Sequence, residues 1–83
     1  MGQPSPYKEA FPLGTETRIA DLAFLEDFAV AWQYHHKLQP EQLQYANRLA
    51  KVAAVGFYHG GEAVYTLNGI PGEWLEQCLR PPR

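Results

Sequence analysis

The spacing of hydrophobic and polar residues changes along the chain, and each change predicts an element. Thr17 and Ile19 alternate with polar residues, which predicts a short first strand. The next segment has helical spacing, with apolar residues at Leu22, Leu25, Phe28, Ala29 and Trp32. Asp21 precedes this segment at the N-cap position. The pattern therefore predicts a strand followed by a helix.

A second helical segment is predicted from Pro40, since proline suits the first position of a helix and Leu43, Ala46 and Leu49 follow as an apolar stripe. A purely helical reading, with one helix from Pro40 to Val55, is the alternative. Gly56 and Gly60-Gly61 favour a strand from Lys51 instead.

A hairpin is the clearest local prediction. Strand candidates at 51–59 and 62–67 flank Gly60-Gly61, which suits a two-residue turn. That turn pairs Phe57 with Val64, Val55 with Thr66 and Gly56 with Tyr65. Asn68-Gly69 predicts a second turn and residues 70–72 a bend. Residues 73–79 then read as a short strand or a single helical turn.

Composition limits the chain to one small domain. Its 83 residues are 46% hydrophobic and 19% charged, which is typical of a folded domain. Prolines are frequent before Gly14, and Pro81-Pro82 ends any helix or strand. We therefore expect an N-terminal tail at 1–13, with Tyr7, Phe11 and Leu13 able to dock on the domain. The single domain is expected at 14–80 and a C-terminal tail at 81–83.

Charge and cysteine content exclude several classes of function. The seven Lys and Arg residues are scattered and the net charge is −2, so we predict no nucleic-acid partner and no membrane surface. No apolar run approaches the ~20 residues that span a bilayer. The single cysteine, Cys78, excludes an internal disulfide framework. A cytoplasmic location is expected by elimination.

The order of elements resembles the small SH3-like barrels. The resemblance rests on the opening Gly14-x-x-Thr17-Arg18-Ile19, the strand Val64–Leu67 and the closing Trp74-x-x-x-Cys78-Leu79. It implies an α+β, β-rich fold of about four to five antiparallel strands, with one or two helices inserted after the first strand. The opening motif and acidic loop of signalling SH3 domains are absent from this sequence. The resemblance therefore implies the barrel and not the binding of proline-rich ligands.

No motif predicts catalysis or a cofactor. His35 and His36 are adjacent, and adjacent side chains diverge, so they do not readily hold one metal ion. Cys78 lies between Leu75 and Leu79, where a thiol usually acts as a small core residue. We therefore predict no enzyme, no cofactor and no metal site.

The remaining sequence feature that bears on function is the clustering of aromatic and histidine residues. Trp32-Gln33-Tyr34-His35-His36 and Phe57-Tyr58-His59 are runs of rings, and neighbouring side chains cannot all face one core. The sequence favours a non-catalytic interaction module that binds a protein partner or another copy of itself. Its predicted binding residues are Tyr34, His35, His36, Tyr58, His59 and Trp74, with Trp74 expected at the surface.

Two alternatives stay open at this point. One is a small metal-binding or accessory subunit that uses His59, Cys78 and one of His35 or His36. The other is an enzyme subunit whose site is completed only in a complex.

Overall fold

The computed structural model describes residues 9–58 and 61–83, and within them the chain is a strand-rich α+β fold. Five strands form one curled antiparallel sheet in the order β4-β3-β2-β1-β5. The elements are β1 (Glu16–Ile19), α1 (Leu22–Ala31), a 3₁₀ helix (Pro40–Tyr45), β2 (Leu49–Phe57), β3 (Ala63–Leu67), β4 (Ile70–Leu75), a 3₁₀ turn (Glu76–Cys78) and β5 (Leu79–Arg80). The predicted fold class is confirmed, and the barrel is a half-barrel of five strands.

The predicted first helix is confirmed, both at its N-cap and in its apolar stripe. Its N-cap is Asp21, whose carboxylate accepts a 2.8 Å hydrogen bond from the backbone N–H of Phe24. Leu25 and Phe28 are the buried positions of its apolar stripe. Within the described ranges, no helix is long and apolar enough to cross a membrane.

The segment from Pro40 departs from the prediction in two respects. It is a six-residue 3₁₀ helix rather than an α-helix, and β2 already begins at Leu49. The single long helix from Pro40 to Val55 is therefore wrong. Asn47, with a φ of 64°, separates the 3₁₀ helix from the strand, which explains why the helix cannot continue.

The β2–β3 hairpin exists, but its predicted register is wrong by one residue. Val55 lies opposite Tyr65, Gly56 opposite Val64 and Phe57 opposite Ala63. The backbone N–H of Tyr58 donates to the carbonyl of Glu62 at 2.9 Å, so the loop between them has one residue more than the predicted two-residue turn. Gly61, with a φ of 90°, donates to the Tyr58 carbonyl at 2.8 Å and closes this longer loop.

The predicted bend at 70–72 lies inside a strand. β4 begins at Ile70 opposite Leu67, but Glu73 lies opposite Thr66, so Pro71 and Gly72 form a bulge in β4. Residues 73–79 then divide between the end of β4, the 3₁₀ turn and the start of β5. Bulges bend a strand and increase its twist, which fits the curl of this small sheet.

The core joins the sheet to α1, since Leu25 and Phe28 of the helix belong to the same buried cluster as the side chains of the strands. Tyr65 and Trp74 are paired across β3 and β4, and both are completely buried. Phe11 packs edge-on against Tyr65 with ring centroids 5.9 Å apart, as expected for a docked N-terminal segment, whereas Leu13 is exposed. Tyr7, the other residue expected to dock, lies outside the described residues.

Candidate functional site

The loop that follows α1 carries two histidines onto one face of the sheet. α1 ends at Ala31, and the indole N–H of Trp32 donates to the carbonyl of His35 at 2.7 Å, which holds the loop in a tight turn. His36 has a left-handed backbone with a φ of 52°. Because the chain reverses there, two adjacent side chains that would diverge in a strand both reach the same region.

Both histidine rings contact Tyr58, which directly follows β2. The His35 ring lies parallel to the Tyr58 ring, with an interplanar angle of 10° and centroids 3.6 Å apart. The His36 ring meets Tyr58 edge-on at 5.6 Å. Tyr58 therefore holds one histidine by its face and the other at its edge.

Each histidine contacts a carboxylate. Nε2 of His35 donates to Oε1 of Glu62 at 2.8 Å, and Nδ1 of His36 lies 2.7 Å from Oε1 of Glu73. Glu62 immediately precedes β3 and Glu73 belongs to β4. The two pairs therefore tie the loop after α1 to both strands. The remaining ring nitrogen of His35, Nδ1, is buried and has no hydrogen-bond partner among the described residues.

Tyr34 completes an exposed surface, which we call the ring surface and define as Tyr34, His35, His36 and Tyr58. The Tyr34 ring contacts Trp32 edge-on at 4.9 Å, and 69% of the residue remains accessible. Trp32 in turn stacks on Phe28 at 5.6 Å. The ring surface is therefore continuous with the core through the rings of α1.

One of the six predicted binding residues does not belong to this surface. Trp74 is completely buried, so the expectation that its ring lies at the surface is wrong. The physical reason is its position near the end of β4, directly opposite Tyr65, where its side chain belongs to the hydrophobic core. His59 lies outside the described residues.

Glu62 and Glu73 are the residues that the sequence argument missed. The sequence assigned Glu62 only to a strand candidate and Glu73 only to the segment 73–79. No spacing rule marks either of them, because each finds its histidine across a distance of more than twenty residues in the chain. The signal becomes visible only once the hairpin and the loop after α1 are placed together.

Two open grooves meet at the His36–Glu73 pair, since both residues line each of them. The larger groove, of about 510 Å³, lies between this pair and the 3₁₀ helix, with Gln42, Tyr45 and Pro71 in its walls. The smaller groove, of about 300 Å³, runs over β2 and β3 beside Tyr58. The small residues Ala54, Gly56 and Thr66 are among those that line it.

Gly56 has no role within the described chain that requires a glycine. A Cβ built on it would meet no atom within 4 Å, and its φ is not in the left-handed region. Gly72 differs, because its φ is 91° and a Cβ there would lie 2.8 Å from Nε2 of Gln42. Glycine in a strand often marks a place where another chain or a ligand approaches closely. Gly56 keeps the smaller groove open.

Two further features bear on the chemistry of the described residues: the state of Cys78 and the grouping of possible metal ligands. Cys78 is completely buried, and desolvation raises the pKa of its thiol to about 12, despite the nearby charge of Arg80. A thiol in that state is not a nucleophile at neutral pH. Among residues 9–58 and 61–83, no three His, Cys, Asp or Glu side chains lie close enough together to hold a metal ion.

Comparisons with family models, with curated proteins and with solved structures found no match to this chain.

Proposed function

We propose that this chain is a non-catalytic interaction module that binds a protein partner through the ring surface and the smaller groove beside it. The observation that carries the proposal is the parallel stack of His35 on Tyr58, with 3.6 Å between ring centroids and 38% of Tyr58 accessible. Exposed rings with a polar edge are typical of the residues that dominate binding energy at protein interfaces.

The ring surface is held in place before any partner arrives. His35 and His36 are each bound to a carboxylate and to Tyr58, so three segments of the chain fix the same cluster. Rings that are already ordered lose little conformational entropy when they bind, which favours affinity. A cluster that served only to cover the core would not need polar atoms at its edge.

The smaller groove suggests the form of the bound segment. Its lining includes Ala54 and Gly56, and its sides are formed by Tyr58 and the His36–Glu73 pair. A narrow groove over small residues admits an extended backbone more readily than a helix, which is ~10 Å wide. We therefore propose that an extended segment of the partner lies over Gly56 with one side chain against Tyr58.

A small SH3-like barrel in a reducing cytoplasm is part of the same proposal. The curled sheet of five antiparallel strands supports the barrel, and the single buried Cys78 is compatible with a reducing compartment. The ring surface and its groove, rather than any motif shared with signalling SH3 domains, support the binding role.

The test uses affinity capture from the host lysate, identification of the retained protein, and titration of the purified partner by calorimetry. Tyr58→Ala should remove the face on which His35 stacks, and Gly56→Ala should place a methyl group in the groove. We expect both variants to weaken binding at least tenfold. Val30→Ala is the matched control, because Val30 is 77% exposed on α1 and is not part of the ring surface.

Three outcomes of this experiment would change the proposal. Unchanged binding by folded Tyr58→Ala and Gly56→Ala proteins would overturn the proposed site. Equal weakening by Val30→Ala would place the binding surface on the helix instead. If folded wild-type bait retains no partner, partner binding is rejected in favour of self-association.

The alternative of a metal-binding subunit has less support. Its candidate ligands are His59, Cys78 and one of His35 or His36. Cys78 is buried with a protonated thiol. Nε2 of His35 and Nδ1 of His36 already face carboxylates. Stoichiometric metal in protein purified without a histidine tag would restore this alternative.

A further inference from the structure

The Asn68-Gly69 turn joins β3 to β4 and is exposed to solvent. Leu67 lies opposite Ile70, so these two residues alone form the connection, and both are accessible. Gly69 has a φ of 76°, and a Cβ built on it would meet no atom within 4 Å. The turn therefore has open space around the bond that joins Asn68 to Gly69.

The described part of the chain anchors the backbone of this turn but not its reactive groups. The N–H of Asn68 donates to the carbonyl of Lys51 at 2.9 Å. The side chain of Asn68 and the N–H of Gly69 make no hydrogen bond among residues 9–58 and 61–83. Glycine also has no side chain that could shield its nitrogen. The carboxamide of Asn68 can therefore rotate towards the nitrogen of Gly69.

Asn47, the other asparagine of the chain, differs at each of these points. Its Oδ1 accepts a 3.2 Å hydrogen bond from Arg18. The next residue, Arg48, carries a side chain, and its N–H donates to the carbonyl of Tyr45 at 3.0 Å. Asn47 thus has both its carboxamide and the following nitrogen engaged, which makes it a natural reference for Asn68.

We infer that Asn68 is a site of spontaneous deamidation in the folded protein. The nitrogen of Gly69 loses its proton to solvent base and attacks Cγ of Asn68. A nitrogen–carbon bond forms, and the side-chain nitrogen takes up a proton and leaves as ammonia. Water then opens the resulting cyclic imide at either of its carbonyl groups, which gives aspartate or isoaspartate. An intramolecular attack is fast where the two reacting atoms can approach closely.

The isoaspartyl product changes the length of the turn. Its backbone runs through Cβ and Cγ of the former Asn68, which adds one carbon atom to the connection that holds Leu67 opposite Ile70. The length and type of a hairpin turn fix the register of its two strands. We therefore expect the isoaspartyl form to be less stable than the original protein, whereas the aspartyl form keeps the original backbone.

Deamidation of Asn68 is independent of the proposed binding role. Asn68 and Gly69 belong neither to the ring surface nor to the residues that line the two grooves. Failure of the binding experiment would therefore not affect the expected reaction in this turn.

Peptide mapping of the full chain during incubation at neutral to mildly alkaline pH tests the inference. Trypsin separates the two asparagines, because cleavage after Arg48 and Lys51 falls between them. Mass spectrometry then records the exchange of the amide nitrogen for oxygen, and an isoaspartyl methyltransferase identifies the isoaspartyl share. We expect conversion at Asn68 to be at least about tenfold faster than at Asn47. Its rate should rise with pH, since the attacking nitrogen must lose its proton.

Asn68→Gln is the matched control variant, because it keeps an amide at the same position but its cyclic imide would need a larger ring. Release of ammonia should fall to background in this variant. Urea unfolding should place the isolated isoaspartyl protein below Asn68→Asp, which has the charge without the additional backbone carbon. Equal rates at Asn68 and Asn47 in the folded protein would overturn the inference. Conversion of Asn68 only after urea has unfolded the chain would overturn it as well, because the turn would then protect this residue.

Discussion

The hydroxyl of Tyr65 donates to Oε2 of Glu76 at 3.2 Å, and both oxygens also accept from the backbone N–H of Ala10, at 3.1 Å and 2.8 Å. A buried ring in the centre of the sheet is thereby joined to the segment before β1. Desolvation raises the pKa of Tyr65 to about 12, the Glu76 charge adds to the rise, and the N–H groups of Phe11 and Ala10 oppose it.

This raised pKa predicts a loss of stability in alkali. The folded protein keeps the Tyr65 proton above pH 10, where the unfolded chain releases it, so the contribution of Tyr65 is complete below pH 10 and is lost as the pH rises from 10 towards 12. Cys78 acts in the same direction between pH 9 and 12. Urea unfolding of the wild type, Tyr65→Phe and Cys78→Ala between pH 8 and 11 measures both contributions to the free energy of unfolding.

The Tyr65→Phe variant should be less stable than the wild type at pH 8, since the Ala10 and Phe11 amides lose an acceptor. Its stability should nevertheless fall less steeply above pH 10. Identical slopes for the wild type and both variants would show that neither group is responsible for the alkaline loss.

Gly56 and Gly72 should respond in opposite ways to alanine. Gly56→Ala meets no atom within 4 Å, and alanine loses less entropy in a strand, so the free energy of unfolding should stay equal or rise by up to ~1 kcal/mol. Gly72→Ala should lower it by at least ~1 kcal/mol, because its φ is positive and Gln42 lies in the way. Urea unfolding of the two proteins makes the comparison, and a destabilised Gly56→Ala protein would show that the groove is not open space.

Trp74 should behave as a core residue. Trp74→Ala is expected to lower the free energy of unfolding by ~3–5 kcal/mol, because it removes the largest completely buried side chain. Trp74→Phe should cost much less, since the indole N–H has no partner among the described residues and its removal leaves no acceptor unsatisfied. Thermal unfolding by circular dichroism ranks the two, and a fully stable Trp74→Ala protein would contradict the buried position.

Asp21 should stabilise α1 through its cap. Asp21→Ala removes the acceptor of the Phe24 amide and is expected to cost ~1 kcal/mol. Asp27→Ala changes the charge equally at an exposed position of the same helix and should have little effect on stability. Urea unfolding of both variants separates the cap from the charge, and equal losses would mean that the hydrogen bond contributes little.

Most of the helices and strands were predictable from the sequence because the residue patterns that mark them are local. Asp21 and the apolar spacing behind it predicted α1, and the alternation of Thr17 and Ile19 predicted β1, since each signal needs only a few neighbouring residues. The hairpin was predicted, but its register was not. Two glycines suit a two-residue turn by themselves, and the additional residue in the loop depends on how Tyr58 and Glu62 pair across the sheet.

For the candidate site, the sequence predicted which residues take part but not how they contact one another. The sequence alone determined that Tyr34, His35, His36 and Tyr58 cannot all lie in one core, because neighbouring side chains point in different directions. The tertiary structure decided that both histidines meet Tyr58, that Glu62 and Glu73 hold them, and that Trp74 is buried beside Tyr65. Those contacts join residues far apart in the chain, and no local preference fixes them until the sheet has formed.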